Sequence, residues 1–153
     1  MLFSTLIFIL SIAQAGEAPQ DQSPARESLV MMAHWDCATW AGMANDTEGR
    51  AEHHFLRGLE SGRRFVEAAR SGAISEDDWD STVPVYVALS MQGPTSEFVL
   101  GRLFEVISGN AFDEVTKRDA YGRPLPPEDY INDRAVQAVV ASRLMRQANC
   151  SVL

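Results

Sequence analysis

The sequence predicts an all-α fold: a compact bundle of about five helices, following an N-terminal signal peptide and stapled by one disulfide. Three observations lead to this prediction. Apolar residues recur at three- and four-residue steps, and turn residues with helix-capping chemistry separate the segments. No stretch alternates apolar and polar residues as a half-buried strand would.

The first fifteen residues have the features of a secretory signal peptide. The apolar run from Leu2 to Ile12 is far shorter than the ~20 residues that cross a bilayer, and it leads into the small-x-small signature Ala13-Gln14-Ala15. We therefore expect cleavage after Ala15 and a periplasmic or secreted protein with no stable membrane span after processing. The expected organisation is a signal peptide (1–15), a flexible leader (16–23) and a single helical domain (24–153).

The chain has two cysteines, and export changes their interpretation. In an oxidising compartment, a pair of cysteines in a small protein predicts a disulfide rather than two thiols. Cys37 lies in the middle of the first predicted helix and Cys150 just after the last. A Cys37–Cys150 bond would therefore attach the C-terminus to the first helix.

The first helix is expected from about Pro24 to Ala44, with Ser23 as its N-cap. The second is expected to start at the capping-box pattern Asn45-Asp46-Thr47-Glu48 and to end at Gly72. Gly58 and Gly62 in the second helix are more typical of a close helix crossing than of a dimer seam. The apolar positions expected to be buried are Leu29, Met32, Ala33, Cys37, Trp40, Ala41 and Ala44 in the first helix, and Phe55, Leu59, Gly62, Phe65, Val66 and Ala69 in the second.

The second half of the chain predicts shorter elements and two longer helices. Ser75 is an expected N-cap, and the run from Val83 to Leu89 is expected to form a short helix with Pro84 in its first turn. Thr95 is expected to cap the next helix, which Ser108-Gly109-Asn110 would kink or end. The last helix is expected from near Pro127 to about Gln147. Inward positions are expected at Val99, Leu100, Leu103, Phe104, Val106, Ile107, Phe112 and Val115, then at Ile131, Ala135, Val136, Val139, Val140 and Leu144.

The charge balance limits the partners. The chain has a formal net charge of −8, with 21 acidic and 13 basic side chains. Nucleic-acid binding depends on clustered Lys and Arg, so nucleic acid is excluded as the expected partner. An acidic surface suits a basic protein partner.

The first helix is the predicted binding element. Trp35 and Trp40 are five positions apart and cannot share a narrow stripe, so one of them is expected at the edge of the core. An edge tryptophan beside Met43 is typical of a residue that anchors a protein partner. Trp35, Trp40 and Met43 are therefore the predicted binding residues.

The histidines offer an alternative. His34 and Cys37 lie at i and i+3, and Glu52, His53 and His54 could add ligands from the second helix. Neighbouring His53 and His54 point about 100° apart on a helix, so at most one joins a given site. A disulfide would also consume Cys37, and no metal, cofactor or catalytic residue is predicted.

Two hypotheses of function follow. The first is a small, acidic, exported helical protein that is not an enzyme and binds another protein in the export compartment, as an inhibitor, immunity factor, chaperone or envelope adaptor does. The alternative is a small hydrolase or metal-dependent enzyme that uses His34, Glu52 and either His53 or His54. The oligomeric state is not predicted.

Overall fold

The computed structural model describes residues 23–153, and every regular element in this range is helical. The predicted signal peptide and all but the last residue of the leader lie outside the described residues. The all-α prediction is confirmed, with six helices in this range instead of about five. The helices are α1 (Arg26–Met43), α2 (Arg50–Arg70), α3 (Glu76–Ser81), α4 (Val85–Ser90), α5 (Ser96–Thr116) and α6 (Arg134–Gln147), with short 3₁₀ turns at Pro127–Asp129 and Cys150–Val152.

Helix α1 is the central element, because it packs against α2, α5 and α6. It contributes to two clusters of buried side chains. The larger cluster contains Met31, Trp35, Phe65, Val66, Val87, Val99, Leu100, Leu103 and Ile107 among its members. The smaller one contains Cys37, Trp40, Ala41, Ala111, Val115, Ala141, Met145 and Cys150.

The predicted Cys37–Cys150 disulfide is confirmed. Its Cα atoms are 5.8 Å apart, and the two residues are separated by 113 positions. Both cysteines are buried within the smaller cluster. The bond joins the middle of α1 to the 3₁₀ turn after α6, so the C-terminal end of the chain is held against the central helix.

Two predicted helix caps and one short helix are also confirmed. The Ser75 hydroxyl accepts a hydrogen bond from the Asp78 amide (3.2 Å), and the Thr95 hydroxyl accepts one from the Phe98 amide (3.2 Å). These bonds satisfy amides that have no partner within a first helical turn. Pro84 directly precedes α4, as its fixed φ favours.

The predicted starts of α1, α2 and α6 are wrong. Helix α1 begins at Arg26, and Ala25 rather than Ser23 is at its N-cap position. Helix α2 begins at Arg50, after Gly49 in the left-handed region (φ 76°), so no capping box forms at residues 45–48. Asp46 instead accepts a hydrogen bond from the Arg50 amide (2.8 Å). Helix α6 begins at Arg134, because Asp133 caps it, and the earlier Pro127 starts only a 3₁₀ turn.

The predicted break at Ser108-Gly109-Asn110 is also wrong, since α5 runs without interruption to Thr116. Ile107, Ala111 and Val115 are buried on the two sides of this tripeptide. Their burial stabilises the helix by more than one interior glycine costs, about 1 kcal/mol.

Several positions expected to be buried are exposed instead. Helix α6 buries only Ala141 and Met145, because it packs mainly against one helix, α1, along a narrow stripe. The exposed apolar residues that were expected inside are Leu29, Phe55, Phe112, Val136 and Val139, together with the small Ala135.

Helices α1 and α2 cross closely at Gly58, as the small-residue spacing predicts. A Cβ atom at this position would lie 2.6 Å from Nε1 of Trp35, and closer still to Cδ1. One turn later, a Cβ at Gly62 would lie 2.8 Å from Cδ2 of Leu100. The absence of both side chains lets α2 approach the core.

None of the helices in residues 23–153 combines the length and the apolarity that a bilayer crossing requires.

Candidate functional site

The structure does not bring the predicted binding residues together on one exposed face. Trp35 is fully buried and Trp40 nearly so, while Met43 is partly buried against the smaller cluster. The expectation that one tryptophan lies at the edge of the core is therefore wrong. The reason is the central position of α1, which has packed helices on several sides and so buries both rings.

Each tryptophan instead links α1 to a neighbouring helix. The Trp35 indole N–H donates to the carbonyl of Phe55 in α2 (3.2 Å), and that of Trp40 donates to the carbonyl of Ala111 in α5 (3.2 Å). A buried indole needs such a partner to avoid an unsatisfied donor. These two side chains have structural roles in the described fold.

An apolar groove lies between α2 and α5, directly over Trp35. Its volume is about 220 Å³. Phe55 and Leu59 of α2 form one wall, and Leu100 and Phe104 of α5 form the other. The groove and the buried Trp35 belong to the same face of the larger core cluster, which is open to solvent at this point.

Three aromatic rings shape the groove. The ring of Phe104 meets Trp35 and Phe55 edge to face, with centroids 5.4 Å and 5.2 Å away respectively. Such pairs hold rings in fixed relative positions. Phe55 remains 37% exposed and its neighbour Leu56 52% exposed, so the α2 wall presents apolar surface to solvent.

The α5 side of the groove has an open, acidic rim. Gly101 lines the groove, and a Cβ there would meet no atom within 4 Å. Exposed Glu97 and Glu105 lie one turn before and one turn after it on the same helical face. Glu97 is 3.7 Å from Arg63 of α2, but both side chains are more than half exposed, so this ion pair is weak.

Sequence reasoning missed this groove because it assigned Phe55 to the core. One signal was available. Gly101 interrupts α5 between Glu97 and Glu105, which lie four residues before and four residues after it. A glycine in a helix that needs no close approach on that side leaves a gap in the surface.

A histidine pair lies next to the groove, at the crossing of α1 and α2. The Nδ1 atoms of His34 and His54 are 3.0 Å apart, and the residues are only 4% and 2% exposed. Burial is the largest cause that lowers the pKa of each ring. The expectation that only one of the two neighbouring histidines could join His34 agrees with this geometry, and His54 is the one.

The other residues of the metal or hydrolase alternative lie elsewhere. Glu52 and His53 are exposed on α2. Within residues 23–153, no three histidine, cysteine, aspartate or glutamate side chains are grouped so that they could hold a metal ion. A substrate could not reach the buried His34–His54 pair without movement of the surrounding helices.

A second group of titratable side chains, Asp36, Tyr86 and Glu114, lies among α1, α4 and α5. Burial, and after it the charge of the Glu114 carboxylate, raise the pKa of Asp36 to about 7. Burial followed by the charges of Asp36 and Glu114 raises the pKa of Tyr86 to about 12. The Tyr86 hydroxyl donates to the sulfur of Met32 (3.3 Å). Asp36 is therefore partly protonated at neutral pH.

A larger depression of about 370 Å³ lies beside the α1–α2 connection and the C-terminal turn. It is mainly polar, and Arg50 and Asp46 within it already form an ion pair (2.6 Å). The groove between α2 and α5 is thus the better candidate for a site that takes an apolar group.

The described part of the protein is thus a disulfide-linked assembly of six α-helices with a narrow apolar groove over a buried tryptophan. No protein-family model matches the sequence, and no match occurs among the curated proteins or the solved structures.

Proposed function

We propose that this protein is a non-enzymatic protein-binding module whose groove between α2 and α5 accepts an apolar side chain from a basic segment of its partner. The observation that carries the proposal is the apolar groove itself, which has the exposed Phe55 in its wall and the buried Trp35 at its floor. Apolar pockets lined by aromatic side chains are the usual anchor sites of protein interfaces.

The size of the groove favours a side chain over a free small molecule. Its volume of about 220 Å³ lies below the roughly 300–1,000 Å³ typical of small-molecule sites. A phenylalanine or leucine side chain from a helix or loop would bury its apolar surface there, while the backbone that carries it stayed outside.

The charges support a basic partner. The chain has a net charge of −8, and Glu97 and Glu105 flank Gly101 along α5, while Arg63 of α2 is the one basic residue among those that line the groove. Lysine or arginine residues one helical turn before and after the anchoring side chain would face these carboxylates. Such complementarity speeds encounter and selects orientation more than it adds affinity.

The compartment belongs to the same proposal. The Cys37–Cys150 bond supports an oxidising destination, periplasmic or extracellular, reached through a signal peptide cleaved after Ala15. The test is the intact mass of the protein from export and cytosolic fractions. Loss of residues 1–15 in the exported material is expected. Full-length cytosolic protein with two alkylated thiols would contradict export.

The binding proposal is tested with a synthetic helical peptide that carries one phenylalanine with lysines four positions before and after it. Binding is followed by amide chemical shifts and by calorimetry. We expect the shifts to concentrate on Phe55, Leu59, Gly101 and Phe104. Peptides with glutamate in place of lysine, or alanine in place of phenylalanine, are expected to bind at least about ten-fold more weakly.

A matched pair of variants separates the groove from the rest of α5. Gly101→Leu fills the groove, and Gly109→Leu places the same side chain two turns later, where a Cβ also meets no atom within 4 Å. Gly101→Leu is expected to weaken peptide binding at least about ten-fold, with Gly109→Leu unchanged. Equal binding by both variants, or no binding of the lysine peptide by the wild type, would contradict the proposal.

A further inference from the structure

Two consecutive hydrogen bonds cross the seam between α1 and α2. The first joins the Nδ1 atoms of His34 and His54 (3.0 Å), and the second runs from the Trp35 indole N–H to the carbonyl of Phe55 (3.2 Å). Trp35 is the floor of the groove and Phe55 part of its wall. Each buried histidine is thus the chain neighbour of a groove residue on its own helix.

The histidine pair requires a particular number of protons. A hydrogen bond between two Nδ1 atoms needs one N–H and one bare nitrogen, so the neutral pair is satisfied. One added proton can be held, but it places a charge where both residues are almost fully buried. A second proton leaves two N–H groups facing each other across 3.0 Å. The seam cannot keep that geometry.

The surroundings add further positive charge. After burial, the pKa of His34 is lowered by His54, Arg57 and His53, and that of His54 by His53 and Arg50. Only two influences oppose this for His54: a hydrogen bond with the Cys150 backbone and the carboxylate of Asp46. That carboxylate is already paired with Arg50 (2.6 Å). The groups facing the pair from α1, α2, the α1–α2 connection and the C-terminal turn therefore leave little to compensate a buried imidazolium.

We propose that the His34–His54 pair is a pH-sensitive latch on the groove: protonation opens the α1–α2 seam, moves Phe55 away from Trp35 and releases the bound side chain. The inference rests on the proposed function for its ligand. The neutral pair holds the seam closed and the groove formed. Acidification shifts the population toward open molecules, and the affinity for a partner falls in proportion to the closed fraction.

The test compares wild type with His54→Gln and with the control His53→Gln, whose parent residue is exposed on the same helix. Because His53 lowers the pKa of both buried rings, this control is expected to keep the pH response with its midpoint at a higher pH. Glutamine donates and accepts hydrogen bonds but does not titrate. Two signals are followed between about pH 7.5 and about pH 5, the range in which histidine ordinarily titrates. They are affinity for the lysine-flanked phenylalanine peptide and the proton shift of the Trp35 indole N–H.

In wild type and His53→Gln, we expect at least about ten-fold weaker peptide binding at the lower pH, as when about a tenth of molecules remain closed. The indole N–H signal should move toward its solvent-exposed position in the same pH range. His54→Gln should lose both changes. If His54→Gln does not fold, His34→Gln serves the same purpose.

The latch is overturned if the wild-type indole signal stays constant to about pH 5, or if both glutamine variants of the pair keep the full pH dependence. Failure of the proposed function looks different, because the peptide then binds at neither pH while the indole signal still reports whether the seam opens. A moving indole signal with unchanged peptide affinity would overturn the link between seam and groove.

Discussion

Gly58→Ala is the substitution whose effect the structure defines most closely. The new Cβ would lie 2.6 Å from Nε1 of Trp35, and that ring is fully buried. The indole cannot move aside freely. Its N–H donates a hydrogen bond to the carbonyl of Phe55, and the ring of Phe104 packs against it edge to face. The strain must therefore be taken up by separation of α1 and α2.

The magnitude follows from two opposing effects. Replacing a helical glycine by alanine favours the helix by about 1 kcal/mol, and overpacking a rigid core costs typically about 1–3 kcal/mol. With a contact this short to a fixed ring, we take the upper end. Gly58→Ala is expected to lower the free energy of unfolding by about 2 kcal/mol after the helix gain is subtracted.

Gly109→Ala is the matched control, since Gly109 lies inside α5 and a Cβ there meets no atom within 4 Å. It should raise the free energy of unfolding by about 1 kcal/mol. Urea unfolding followed by circular dichroism measures both variants, and the two should differ by about 3 kcal/mol. If Gly58→Ala proved as stable as Gly109→Ala, the close crossing of α1 on α2 would be refuted.

Three further outcomes are expected. Asp36 has a pKa of about 7 in the folded protein and about 3.8 in the unfolded chain, so between these two pH values the folded state holds a proton that the unfolded chain has released. The free energy of unfolding therefore falls as the pH rises from the lower value to the higher one, by up to about 4 kcal/mol. Relative to wild type, Asp36→Asn should therefore be more stable at about pH 8 than at about pH 4, measured by urea unfolding; a difference that does not vary with pH would rule out a buried carboxyl. The double variant Cys37→Ser/Cys150→Ser should lose about 5 kcal/mol on the chain-entropy estimate for a 113-residue separation, and thermal unfolding that is unchanged would contradict this. Thr95→Ala should cost about 1 kcal/mol in chemical denaturation through loss of the cap on α5, and a neutral result would show that the Phe98 amide finds another acceptor.

Local chemistry made several elements of the fold predictable. Ser75 and Thr95 cap helices because their hydroxyls accept hydrogen bonds from amides in the first turn. This contact involves only residues that are close in the sequence. The disulfide was predictable because there are just two cysteines and the N-terminal sequence predicts export to an oxidising compartment. The spacing of Gly58 and Gly62 indicated the close helix crossing.

The positions that failed depend on tertiary packing. Gly109 does not end α5, because buried residues on both sides of it hold the helix together. Trp35 and Trp40 are both inside, because α1 is surrounded, and periodicity cannot show how many neighbours a helix has. Phe55 forms a groove wall for a similar reason. It belongs to the apolar face of α2, but no helix of the described part covers that face completely at Phe55 as the core does at Phe65 and Val66.

The same limit applies to the candidate site. His34 and His54 were singled out as possible ligands from their residue type, yet their 3.0 Å approach results from a helix crossing twenty positions apart in the chain. The groove is formed by side chains of α1, α2 and α5, so Gly101 can be recognised as part of it only when the positions of these three helices are known.

The sharing of α1 between the two buried clusters has a consequence for how the molecule comes apart. Unfolding of either cluster also exposes part of the other, because the same eighteen-residue helix contributes buried side chains to both. Heating should therefore melt the two halves in a single concerted step, with no half-folded species accumulating between them.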